Sequence, residues 1–183
     1  MGGFRRRIRL KRARAGFSSG AVAPPVARLA GEISSRWQLA ARWGHPRGNV
    51  TVLFTGGTGK TLAASWLATR LGPPLYRVDL AAIISKYVGE TEKHLEEVFQ
   101  QAEASGAILL FDEADALFGK RNGVQDLRDR YANLETGFLL QRIENHSGVV
   151  ILTGNRHTAI DPAFLRRVYR VIHFPGRRPF PRH

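Results

Sequence analysis

The segment Phe54-Thr55-Gly56-Gly57-Thr58-Gly59-Lys60-Thr61 contains the residue types from which a phosphate cradle is made. Glycines let backbone N–H groups turn towards a phosphate, a lysine reaches the outer phosphates, and a threonine hydroxyl holds magnesium. Gly59, Lys60 and Thr61 supply the last three of these parts. The usual spacing is G-x-x-x-x-G-K-[ST], and counting back from Gly59 puts Phe54 where the first glycine belongs. If Gly56 opens the loop instead, it reads G-x-x-G-K-T and is two residues short. Either way the chain reversal lacks backbone donors or a glycine that permits the turn. A plain glycine-rich turn from strand to helix is the competing reading.

A second group of chemically capable residues ends the apolar run Ile108-Leu109-Leu110-Phe111 with Asp112-Glu113. At a strand end one carboxylate can hold magnesium through water while its neighbour polarises an attacking water. Taken alone, the pair is better read as a helix N-terminus, where acids are favoured by the helix dipole. Paired with Gly-Thr-Gly-Lys-Thr on an earlier strand, it reads as the other half of a nucleotide site. Cysteine is absent, which rules out a thiol nucleophile, a disulfide scaffold and a cysteine-ligated zinc.

These residues need elements to position them. Pro24 and Pro25 precede an amphipathic stretch, Val26 to Trp43, with Val26, Leu29, Ile33, Trp37 and Ala40 at helical spacing. Val50 to Phe54 then reads as a short buried strand. Further strands are expected at Leu75 to Asp79, Ala107 to Asp112, Gly148 to Thr153 and Tyr169 to Phe174. Helices are expected at Lys60 to Leu71, Glu90 to Ala104 and Arg130 to Glu144. Strands apolar on both faces and alternating with helices imply an α/β fold with a parallel sheet covered on both sides. Ligands in such sheets sit at the carboxyl ends of the strands.

The formal charge of +13 over 183 residues suggests a polyanion partner until its location is considered. Arg5, Arg6, Arg7, Arg9, Lys11, Arg12 and Arg14 crowd the start, and Arg166, Arg167, Arg170, Arg177, Arg178 and Arg182 the end, without an acid in either stretch. Between them acids and bases balance. Clustered like charges at chain ends read as solvated, disordered tails that attract nucleic acid weakly and without reading sequence. The Arg-rich, acid-free start also has the composition of an organellar transit peptide. No apolar run approaches the length of a secretory signal or a membrane span, so no membrane partner is expected and a cytoplasmic location is the default.

Taken in order, these motifs strongly resemble the AAA+ ATPases, in particular the branch with tyrosine-bearing pore loops, from about Pro24 to Pro175. The chain looks closest to stand-alone bacterial ATPases of this branch, some encoded beside contractile injection systems. The resemblance implies a three-layer P-loop NTPase sandwich over 24–175, flanked by basic tails at 1–23 and 176–183. It implies ATP and Mg2+, with Gly56, Gly57, Thr58, Gly59, Lys60 and Thr61 as the nucleotide loop, and with Thr61 and Asp112 as metal ligands. Glu113 matches the catalytic base, and Asn155, in Thr153-Gly154-Asn155, matches the residue that helps place the water. A turn former before Arg156 is the alternative for Asn155.

Asp161-Pro162-Ala163-Phe164-Leu165-Arg166-Arg167 matches the segment that delivers arginine fingers to a neighbouring subunit, with surface arginine as the alternative. This branch commonly continues with Arg-Phe, whereas the chain has Tyr169-Arg170, an arginine displaced by one and turned to the other face of a strand. Lys86, Tyr87, Val88 and Gly89 match the loop that grips a threaded polypeptide, where an aromatic offers sequence-tolerant contact area and glycine lets the loop move. Packed residues ahead of a helix are the competing reading there. A ring is implied, such as a hexamer of this chain or one shared with another AAA+ subunit, acting on a polypeptide client. The family normally continues into a helical lid, which the residues from Pro175 to His183 are too few to build.

Overall fold

The computed structural model describes residues 11–12, 22–80, 90–114, 127–155 and 162–176, with backbone alone for 11–12, 127–135 and 162–163. Eleven elements follow one another among them: β1 (Lys11–Arg12), α1 (Pro24–Arg42), β2 (Val50–Gly56), α2 (Lys60–Leu71), β3 (Leu75–Val78), α3 (Glu90–Ser105), β4 (Ile108–Phe111), α4 (Leu127–Asn145), β5 (Val149–Thr153), α5 (Pro162–Leu165) and β6 (Arg170–Phe174). The proline pair at its first positions starts α1, where a missing N–H costs no helical bond.

Five strands run parallel in the order β3-β4-β5-β2-β6, flanked by helices, as expected of an α/β core. A sixth strand, β1, pairs antiparallel with β3, Lys11 opposite Arg77 and Arg12 opposite Tyr76. The sheet is therefore mixed at one edge, and the basic tail is structured over these two residues. An edge strand presents unpaired backbone N–H and C=O groups, and a passing segment can pair with them whatever its side chains.

The period of two along each strand divides the core. Val50, Val52, Phe54, Ile108, Leu110, Val149 and Ile151 pack with Val26, Leu29 and Ile33 of α1 and with Ala64 and Leu67 of α2. Leu53, Leu109, Phe111, Val150 and Leu152 face the other way, against Leu95, Val98 and Phe99 of α3 and Leu139 and Ile143 of α4. That alternation decides where the polar residues at the strand ends emerge. Asp112 continues the parity of Ile108 and Leu110, and Thr153 that of Val149 and Ile151. Both therefore reach the face that carries α2, whose N-terminus follows the glycine loop.

Candidate nucleotide site

Between β2 and α2 the connection is three residues long, Gly57 to Gly59. Gly56 and Gly59 have φ of 88° and 99°, a region that favours glycine. The loop lies against the end of β6. Gly57 N–H donates to the Phe174 carbonyl at 2.7 Å, and a Cβ on Gly56 or Gly57 would collide with the backbone of Phe174 or Pro175. Gly57 therefore spends its N–H inside the protein.

Lys60 stands at the first position of α2 and folds back over the loop. Its ammonium donates to the carbonyls of Gly56 and Gly57, each at 2.7 Å, and to Asn155 Oδ1 at 3.2 Å. Across the cleft the hydroxyl of buried Thr153 donates to Asp112 Oδ1 and accepts the Glu113 N–H at 3.1 Å. Ala114 N–H donates to the Thr153 carbonyl at 2.8 Å. These bonds hold Glu113 at φ 57°, a left-handed conformation uncommon for a residue with a side chain. Arg77 Nη2 lies 2.6 Å from Asp112 Oδ2.

Gly56, Gly57, Thr58, Gly59, Lys60, Thr61, Asp112, Glu113 and Asn155 thus line one cleft of about 500 Å3, joined by Leu62 and Thr153. The α2 N-terminus opens into it, and first-turn N–H groups of a helix lack internal acceptors. Among the described residues no group of three or more His, Asp or Glu is placed to hold a metal. A divalent cation would rest on one carboxylate, one hydroxyl and the phosphates of a substrate, the sparse donor set that suits magnesium.

The arginines lie elsewhere. Arg167 pairs with Glu144 at 2.6 Å, while Arg166 is exposed and makes no ion pair among the described residues. Arg170 turns to α1, where its guanidinium donates to both carboxyl oxygens of Glu32, at 3.1 and 3.0 Å. Tyr169 Oη donates to the same carboxylate at 3.1 Å. The bond from Arg170 is the main cause holding the Glu32 carboxyl below its ordinary pKa. Lys86, Tyr87, Val88 and Gly89 lie outside the described residues. Two partners of the acids escaped the motif reading: Arg77, which reaches Asp112 from β3, and the hydroxyl of Thr153, which lines the cleft. Thr153 had one signal, a polar residue ending an otherwise apolar strand.

Residues 52–176 match the family described as ATPase family associated with various cellular activities (AAA). The chain belongs to the AAA family. This AAA domain is 36% identical over 135 residues to the Cell division cycle protein 48 homolog of Archaeoglobus fulgidus, covering 71% of this chain and 18% of that one. It is 38% identical over 142 residues to the 26S proteasome regulatory subunit 6B homolog of Aspergillus niger, covering 73% and 33%. It is 32% identical over 140 residues to Cell division protein C of Sulfolobus acidocaldarius, covering 71% and 37%. The chain therefore spans well under half the length of each of these relatives. Among the described residues of the AAA domain, no helix is long and apolar enough to cross a membrane.

Proposed function

We propose that this AAA domain binds ATP with magnesium in the cleft between β2, β4 and β5 and hydrolyses it. The observation that supports this most is the convergence of Lys60, Thr61, Asp112, Glu113 and Asn155 on one cleft at the carboxyl ends of the strands. The N-terminus of α2 and the Lys60 ammonium bind the phosphates, which requires the ammonium to leave the carbonyls of Gly56 and Gly57. Thr61 and Asp112 hold the metal, which neutralises phosphate charge when bound. Glu113 takes the proton of the attacking water, and Asn155 orients that water.

Arg166 is the better candidate for a finger supplied to a neighbouring subunit, because Arg167 is already paired with Glu144. The ring and its polypeptide client are inferred from the Lys86-Tyr87-Val88-Gly89 motif and from relatives, one named as a proteasome regulatory subunit. The purified full chain should hydrolyse ATP, and Glu113→Gln should slow turnover about 10²–10⁴-fold, the usual worth of a positioned base, while leaving the fold intact. No turnover by the folded parent chain would defeat the catalytic half of the proposal.

A second reading is a domain that binds nucleotide weakly and does not turn it over. It is favoured by the three-residue connection and by the engagement of the Gly57 N–H with Phe174. Nucleotide affinity separates the two: micromolar binding with turnover supports the first, and weak or absent binding the second.

A further inference from the structure

Asp112 is a carboxylate with both oxygens occupied. Oδ1 accepts the Thr153 hydroxyl, and Oδ2 lies 2.6 Å from the Arg77 guanidinium. The Asp112 side chain is only 18% exposed, whereas that of Arg77 is 52% exposed. A half-buried carboxylate beside a second acid, Glu113, is costly to leave without a counter-charge. Register explains how Arg77 provides one. It lies opposite Leu110, two residues short of Asp112, and shares the sheet face of Leu75 with the α2 layer, so a long side chain directed forward reaches the acid.

We infer that Arg77 is the resident counter-ion of Asp112, standing in for the divalent cation when none is bound and competing with it for Oδ2. This rests on the reading that Asp112 serves as the metal acid. Two positive charges cannot share one carboxylate oxygen at close range without loss, so the metal must displace the guanidinium or bind against its field. Arg77 is thus a positioning residue that sets how much magnesium the site requires. It holds Asp112 aimed into the cleft in the metal-free state, and it raises the metal concentration needed for tight nucleotide binding.

The test uses the full chain, its Arg77→Gln and Arg77→Lys variants, magnesium chloride and the fluorescent nucleotide mant-ADP. The magnesium concentration giving half of the metal-dependent gain in mant-ADP binding should fall several-fold in Arg77→Gln and stay close to the parent value in Arg77→Lys. A purely structural role for Arg77 would lower binding at every magnesium concentration and leave that midpoint in place.

A second measurement needs no nucleotide. In chelator, the urea midpoints of Arg77→Gln, Asp112→Asn and the double variant should be non-additive, with the double variant no worse than the more damaging single one. An unchanged magnesium midpoint with mant-ADP binding intact, or additive midpoints in urea, overturns this inference alone. Failure of every form to bind mant-ADP, despite coupled midpoints, overturns the nucleotide reading and the metal competition together.

Discussion

One hydroxyl, Thr153 Oγ1, connects the two acids of the cleft: it donates to Asp112 and accepts from the backbone of Glu113. Glu113 occupies a left-handed conformation, and Thr153 supplies two of the bonds that hold the turn there, through its hydroxyl and its carbonyl. Thr153→Val keeps the shape and removes the hydroxyl. It should cost about 1 kcal/mol in urea unfolding, since it removes the hydroxyl's bonds to a half-buried carboxylate oxygen and to an N–H. It should also lower turnover more than it lowers nucleotide affinity, because the acids lose aim while Lys60 keeps its place. A variant with full stability would show that neither group depends on this hydroxyl.

At the scale of elements, the glycine loop and β6 act as one unit. The predicted positions of α2, β4, β5 and β6 agree with the structure to within about two residues, because apolar alternation and the glycine breaks mark them directly. The neighbourhood of Asp112 and Asn155 was legible for the same reason: they follow the buried strands β4 and β5 by one and two residues, at the carboxyl ends of the sheet. The Arg77 pair was not legible, because it depends on which strands become neighbours, and β3 joins β4 only through a crossover. The pairing of Lys11–Arg12 with β3 was hidden too, since it satisfies backbone groups and leaves no mark in side-chain pattern.

The departure of the loop from G-x-x-x-x-G-K-T is a matter of sequence spacing, whereas its contact with Phe174 and Pro175 left no mark there. If the missing length is what limits phosphate binding, inserting two residues between Gly56 and Gly57 restores G-x-x-x-x-G-K-T. Affinity for mant-ADP should then rise by about tenfold or more, the worth of one recovered charge-assisted contact. Equal or weaker binding would place the limitation outside the loop.

For the whole molecule, the two faces of the sheet carry different chemistry. The face opposite the cleft buries His146, whose Nδ1 lies 3.3 Å from Glu103 Oε1 and whose ring meets Phe99 edge-on. Its Nε2 has no partner among the described residues. Burial pushes the His146 pKa below the ordinary imidazole value, outweighing the pull of Glu103. The unfolded chain protonates this residue near pH 6.5, and the folded chain only at lower pH. Between those values the unfolded state binds more protons, so stability falls as pH drops below about 6.5 and levels off beneath the folded pKa. His146→Phe should flatten this acid limb in thermal unfolding between about pH 7.5 and 5; an unchanged limb would assign it to other groups.

The same scale gives the contact between the glycine loop and β6 a mechanical meaning. The chain leaves β6 with Phe174 bonded to Gly57 and with Pro175 too close to admit a side chain there. Tension applied beyond Gly176 is therefore felt first at the loop beneath Lys60, and any swelling of that loop pushes outward on the departing chain.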